Sequence, residues 1–374
     1  MPVFDNVLCT TQTMAKEVVR GTQDLALCYN CGFLFNCKFE SKKVIYGKDY
    51  HAERGKSHYF STHIKDVAQW LNEEVSLKNK AVLEVACGDG EFLNEVLQYQ
   101  PKRCIGVDPS STEIQSEHIR IFSALFNEQF LTAHPEKTDI LINRHMVEHL
   151  EYPLQMFKVF SQAVDIGNYM YLETPRLDWI LKNHVFYDFP YEHCSYFSDS
   201  LMARMLLAAG FEIQSEKHTY AGQYFSILAQ KTTEPRPLNT VDIKDIQITL
   251  QHLEETKKLL KASEERLVSE LSFGSKNNAF YLWGGSAKGV MCCNLLNTPV
   301  QACIDKNPLK QGEYIPGTGT PVIAPTEICI EEAETILVEN DVYLDEITAE
   351  AHQIEPRIRV LSINQLLGIG SDPE

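Results

Sequence analysis

Residues 81–93 read AVLEVACGDGEFL, and this stretch decides the fold. An aliphatic run carries one acid, Glu84, and passes into a turn containing Gly88 and Gly90. Glycines there let the backbone approach a ligand closely and take conformations barred to other residues. A helix starting near Glu91 would aim free amide groups at the same place. CIGVD (104–108) then ends in Asp108, where a carboxylate at the tip of a second strand accepts both hydroxyls of a ribose. A dinucleotide site requires Gly-x-Gly-x-x-Gly, whereas Glu91, Phe92 and Leu93 follow Gly90. A carboxylate on the first strand repels a diphosphate and suits the ammonium of an amino-acid moiety. First-strand acid, Gly-x-Gly and ribose acid together favour S-adenosylmethionine over a nicotinamide cofactor.

Outward from this stretch, strand-like runs alternate with helix-like segments from residue 46 to about 231, the pattern of a parallel α/β sheet. ILIN (140–143) and YMYLET (169–174) are further strands, and 212–220 with 224–231 read as a closing hairpin about Ala221-Gly222-Gln223. As a constellation, this region resembles a class I methyltransferase core. Glu84, Gly88, Gly90, Phe92, Asp108 and His145 are then expected around the cofactor. His145-Met-Val-Glu148-His149 also matches the H-x-x-E-H pattern of inverted zincins. On a helix, His145 and His149 would share a face and bind one metal. The segment follows ILIN directly, however, as in methyltransferases at the end of the fourth strand, and the zinc-hydrolase reading is set aside. Whether His145 or Glu148 touches the ligand or caps and packs stays open.

Composition narrows the classes. With 34 Lys+Arg against 51 Asp+Glu the formal charge is −17, which opposes a generic grip on nucleic acid or an anionic membrane. A 44% apolar share over 374 residues fits two or three globular domains. No apolar run approaches bilayer length, and MPVFDNVLCTTQT lacks the marks of a signal peptide. A reducing, cytoplasmic setting is expected for the 11 dispersed cysteines, of which Cys28 and Cys31 form a Cys-x-x-Cys pair.

FYDFPYEHCSYFSDSL (186–201) crowds aromatics around Glu192 and His193. An imidazole beside a carboxylate accepts a proton near neutral pH. Tyr191 and Tyr196 are candidates to donate to an oxygen gaining negative charge. The competing reading is a helix start, with Ser198 as N-cap and the aromatics packing. A proline-bearing linker follows at 232–240. Beyond it lies a polar helical stretch with Leu250, Leu253, Leu260, Leu267 and Leu271 near heptad spacing, either a connecting helix or a dimerising coiled coil. A second α/β pattern starts with FYLWGGSAKG (280–289) and adds strands at 300–305, 335–340 and 358–363. The two α/β regions do not read as repeats of each other.

Across nearly the whole chain, LALCYNCGFLFN (25–36), VLEVACGDGEFL, YEHCSYFS (191–198), WGGSAKG (283–289) and DKNPLKQGEYIPGT (305–318) resemble the three-part C-methyltransferases that act on nucleotide-linked ketosugars. The resemblance implies a zinc-binding N-terminal domain (1–45), a methyltransferase core (46–235), a helical linker (236–272) and a Rossmann-like C-terminal domain (273–374). It implies His193 as the base that removes a proton beside the sugar ketone and Glu192 as its partner, with Tyr191 nearby. Tyr46 and Tyr50 would close the cofactor pocket, and the sugar nucleotide would lie between core and C-terminal domain near Tyr196 and Lys288. Two departures stand out. The family's Tyr-His-Glu-His is Pro190-Tyr191-Glu192-His193 here, and one Cys-x-x-Cys stands where the family has two. Cys28 and Cys31 are therefore either zinc ligands, completed by Cys9, Cys37 or His51, or reduced thiols in a vestigial knuckle. The rival functions are an O- or N-methyltransferase on a small metabolite, or a silent module that binds cofactor or partner. Oligomeric state is not legible.

Overall fold

The computed structural model describes residues 1–46, 58–272, 280–296, 300–331 and 333–367. Its strands begin with a hairpin, β1 (Leu25–Leu27) and β2 (Leu34–Asn36). The core follows with β3 (Ala81–Val85), β4 (Arg103–Val107), β5 (Ile114–Gln115), β6 (Ile119–Phe122), β7 (Thr138–Arg144) and β8 (Val164–Pro175). Next come β9 (Ser195–Tyr196) and the pair β10 (Phe211–Thr219) and β11 (Tyr224–Lys231). The C-terminal region supplies β12 (Phe280–Trp283), β13 (Val300–Ile304), β14 (Val322–Ile323), β15 (Thr335–Val338) and β16 (Arg359–Ser362).

The core sheet is ordered β10-β11-β8-β7-β3-β4-β6-β5. From β6 to β8 its ladders are parallel, while β11 is antiparallel to both β8 and β10. Leaving aside the edge strand β5, the order is third, second, first, fourth, fifth, seventh, sixth, as the class I methyltransferase resemblance leads one to expect. All five residues of β3 are buried, so it reads as a continuous apolar run rather than an alternation. β6 is the longest of the strands that the sequence pattern did not announce. Its signal was the alternation of buried Ile119 and Ile121 about exposed Arg120, muted by its length of four residues.

The C-terminal sheet is all parallel in the order β14-β13-β12-β15-β16. The helix Ile243–Ser272 leads into it, and Leu253 and Leu260 pack against the chain's own core, as the connecting-helix reading requires. One apolar cluster runs through both regions, joining Leu34, Leu181, Tyr187 and Tyr196 to Phe280, Val290 and Leu337. Core and C-terminal domain therefore share buried surface rather than a loose linker contact.

The first 45 residues, expected as a small N-terminal domain, lie as a strap against their neighbours. Cys9 and Tyr314 exchange backbone hydrogen bonds of 3.0 and 2.8 Å, tying the strap to the C-terminal domain. Arg20 reaches Asn294 and the Gly317 carbonyl. On the other side β2 pairs antiparallel with β9. Two three-residue strands cannot bury a core of their own, so this segment borrows those of its neighbours.

Candidate active site

The turn after β3 has the expected conformation. Gly88 and Gly90 lie at φ 52° and 81°, in the left-handed region that glycine enters without strain. A Cβ at Gly88 would meet nothing within 4 Å, whereas at Gly90 it would press on Ile121 at 2.9 Å. The Gly88 side of the turn is thus an open cradle. The Gly88 amide donates to Asp108 Oδ2 at 3.0 Å, and Ser110 donates to Oδ1 through its amide at 2.8 Å and its hydroxyl at 2.6 Å. Asp108 is held at the strand tip with lone pairs left over for a ribose.

Glu84 is buried, and its Oε2 has no hydrogen-bond partner among the described residues. Burial pushes this carboxyl up to about 8, opposed by Arg144 and reinforced by Asp108 and Glu173. An orphaned acid beside an open glycine cradle and an oriented strand-tip carboxylate fits the ammonium and ribose of S-adenosylmethionine. Phe92 does not join them. Its ring is 1% exposed and packs in the core beneath the Arg144 guanidinium, 4.5 Å away, because it faces inward from the helix Glu91–Val96.

The ends of β7 and β8 add what the sequence reading did not single out. Arg144 and Glu173 are register partners on these strands. The guanidinium donates through Nε and Nη2 to Glu173 Oε1 at 3.1 and 2.8 Å. His63 Nε2 and the Tyr171 hydroxyl lie 2.9 and 2.8 Å from Oε2, and His145 Nε2 lies 2.9 Å from Oε1. Burial alone would raise the Glu173 carboxyl. Arg144, His145 and His63 outweigh it and hold the group well below the usual carboxylate range. The legible signal was a charge closing each of two otherwise apolar strands, ILINR and YMYLET.

His145 follows β7 at φ 50°, and this left-handed step breaks the helix that H-x-x-E-H needs to put two histidines on one face. Its ring turns to Glu173, while His149 ends a short 3₁₀ turn, Val147–His149. His149 Nδ1 is 2.8 Å from the Tyr46 hydroxyl and 3.9 Å from Glu192 Oε2, and its ring centroid is 4.8 Å from that of His193. Glu192 is 1% exposed, with Oε1 accepting from the Asp5 amide at 2.9 Å. Glu148 is 2% exposed and accepts the Thr174 hydroxyl at 2.9 Å. Burial raises its carboxyl, but the neighbouring imidazoles of His145, His149 and His193 bring it down to about 2. One centre therefore gathers the buried Glu148 and Glu192 with the half-buried Tyr46, His149 and His193. Tyr50 lies outside the described residues.

Other expected residues serve elsewhere. The Tyr191 hydroxyl accepts from the Glu40 amide at 2.8 Å, and its ring is pressed against Gly21, where a Cβ would stand 2.1 Å from it. Gln23 donates to the Tyr196 hydroxyl at 2.7 Å. Both tyrosines are buried and accept hydrogen bonds from the N-terminal strap. Ser198 caps the helix Asp199–Ala208 by accepting from the Leu201 amide, as the helix-start reading expects of that residue. Lys288 bridges the domains, 3.2 Å from Asp188 Oδ2 and 3.0 Å from Gln223 Oε1.

Cys28 and Cys31 face each other in the β1–β2 turn without a third ligand among the described residues. Cys9 is held against Tyr314, and Cys37 is exposed with its amide on Asp24. His51 lies outside the described residues. Two thiols do not make a closed zinc site.

Residues 57–216 match the family model described as methyltransferase domain, and residues 244–358 match the one described as C-methyltransferase C-terminal domain. A tRNA U34 carboxymethyltransferase of Helicobacter acinonychis is 27% identical over 118 residues, which take in 29% of this chain and 45% of that protein. The corresponding enzyme of Campylobacter concisus is 27% identical over 115 residues, 29% of this chain and 40% of that protein. The chain thus spans less than half the length of these relatives. Among solved structures, magnesium protoporphyrin IX methyltransferase of Synechocystis, with bound S-adenosylhomocysteine, is 16% identical. It covers 49% of this chain and 90% of its own, at a TM-score of 0.38. Sheet order, glycine cradle and domain match agree that the core is a class I S-adenosylmethionine-dependent methyltransferase domain.

Proposed function

We propose that this chain transfers a methyl group from S-adenosylmethionine to a carbon of a small ketone-bearing substrate, of the nucleotide-linked ketosugar kind. The observation that carries the reading is the acid–imidazole centre of Glu148, His149, Glu192 and His193, which starts just beyond the end of β7. The C-methyltransferase C-terminal domain match supports carbon as the acceptor. The cofactor would supply a methyl carried on a sulfonium, activated for displacement. Gly88, Asp108 and Glu84 would orient it. His193 would take the proton from the carbon beside the ketone, leaving the C–H electron pair as an enolate. That pair would form the new carbon–carbon bond as the methyl–sulfur bond breaks and its electrons return to sulfur as a neutral thioether, and the proton would leave from His193 to solvent. Glu192, fixed by the Asp5 amide, would orient the imidazoles.

The tRNA-directed relatives align over less than a third of this chain, and a net charge of −17 opposes a grip on a polyanion. A small substrate is the reading they leave in place. The test is turnover with S-adenosylmethionine and a panel of nucleotide-linked ketosugars, with the new methyl located by NMR. His193→Ala is expected to keep cofactor affinity within about twofold while losing about 10²–10⁴ in turnover, the usual weight of a general base. A methyl found on oxygen or nitrogen, or full activity in His193→Ala, overturns the reading.

A further inference from the structure

We infer that Glu148, His149 and His193 form a binding site for one divalent first-row transition cation. Their ligand atoms lie within 4.8 Å of one another. Side-chain rotation closes such a set onto an ion about 2.1 Å from each donor. Two imidazoles and a carboxylate suit zinc, cobalt or ferrous iron, whereas magnesium and calcium prefer oxygen alone.

Two further observations point to a cation. Glu148 is 2% exposed, and one of its oxygens is satisfied by Thr174. The other, Oε1, has no hydrogen-bond partner among the described residues, and His145 Nδ1 at 3.6 Å is too far to make one. A buried carboxylate oxygen left this way is costly unless something positive meets it. The second observation is the environment of His149. Its Nδ1 faces the Tyr46 hydroxyl at 2.8 Å and Glu192 Oε2 at 3.9 Å. A proton on Nδ1 directed at these acceptors is how metal-bound histidines are commonly held. The H-x-x-E-H motif thus contributes Glu148 and His149, with the third donor arriving from the 191–194 turn.

The site has a consequence for the activity proposed above, on which this part rests. A cation on His193 occupies the lone pair that proton abstraction needs, so metal and catalysis compete, and the metal-bound protein is the inactive form.

The test uses the full chain, stripped with a chelator and titrated with Zn²⁺ by calorimetry and with Co²⁺ by visible absorption. One equivalent is expected, with no thiolate-to-cobalt charge-transfer band. Glu148→Gln and His149→Ala should each weaken binding by about 10–100-fold or more, while the double variant Cys28→Ser/Cys31→Ser binds as the parent does. S-adenosylmethionine affinity reports folding, and Tyr46→Phe, a milder change, should weaken Zn²⁺ several-fold by freeing the Nδ1 proton of its acceptor. No binding by the parent, undiminished binding in both ligand variants, or loss in the cysteine variant overturns the site. Where turnover is found, Zn²⁺ should suppress it and chelator restore it, and zinc-indifferent turnover sinks the competition. A chain that methylates no ketosugar refutes the function proposed above and leaves the metal titration to stand alone.

Discussion

The two glycine turns of this chain are built alike and used differently. In the core, the Gly88 amide donates to Asp108 Oδ2 at 3.0 Å, and the Ser110 amide donates to Oδ1 at 2.8 Å. In the C-terminal domain the Gly285 amide donates to Asp305 Oδ2 at 3.0 Å, and the Asn307 amide donates to Oδ1 at 2.9 Å. Each pairs the turn after a first strand with an acid at the tip of the neighbouring strand, a likeness hidden in the sequence because the intervening residues differ. The core turn opens onto empty space at Gly88. The other is filled by its own domain. The Glu339 carboxylate occupies the place of a Gly284 Cβ, and Lys310 Nζ lies 3.2 Å from the Gly285 carbonyl and 3.3 Å from Asp305. A Rossmann-like turn is a ligand site only where side chains leave room. Elsewhere the same backbone serves packing.

Alanine at the two glycines gives the largest contrast. Gly284 sits at φ 124°, and a Cβ there would stand 2.5 Å from Glu339 Oε1. Gly284→Ala should therefore lower unfolding stability by about 3 kcal/mol in a denaturant titration, from backbone strain and overpacking together. Gly88→Ala meets no neighbour and should cost about 1–2 kcal/mol for its left-handed φ, with cofactor affinity falling as the cradle fills. Equal stability losses would erase the distinction between the turns.

The acids come next. Asp108→Asn should weaken S-adenosylmethionine by about 100-fold, equivalent to about 2.7 kcal/mol, since a charged acceptor for the ribose hydroxyls is lost. Asp305→Asn should leave that affinity unchanged. Calorimetry on both variants decides, and a cofactor loss in Asp305→Asn would make the second turn a ligand site as well.

The smallest expected signal is a proton. Glu84, raised to about 8 by burial, is largely neutral in the cofactor-free protein at pH 7 and ionised when unfolded. The unfolded chain binds fewer protons across this window, so stability falls as pH rises from about 4.5 to about 8 and then levels. An ammonium arriving at Glu84 favours the ionised form, so binding should release up to about one proton and tighten as pH rises towards 8. Calorimetry in buffers of different ionisation enthalpy measures the release. Glu84→Gln should abolish it and flatten the pH–stability slope, and a release that survives the substitution belongs to another group.

Much of the fold was legible because it rests on local pattern. β3, β8 and β11 announce themselves as buried runs, and the glycine turn carries its own conformational signature. The candidate site was legible in part. Asp108, Glu84 and the two glycines belong to one strand–turn–strand unit whose spacing is written in the chain. Tyr191, Tyr196 and Lys288 were chemically apt residues whose partners proved to be the strap and the neighbouring domain. Arg144, Glu173, His63 and His149 went unassigned because their roles depend on groups far away in sequence.

The sequence by itself determined the main strands of the sheet, the glycine turn after the first of them and the presence of a second α/β region, since periodicity and spacing act between near neighbours. Only the tertiary structure decided which carboxyls are neutral, which turn is open, and that Glu148, His149 and His193 meet at one point. Those outcomes depend on burial and on fields from residues brought together by folding, which no local window of sequence contains.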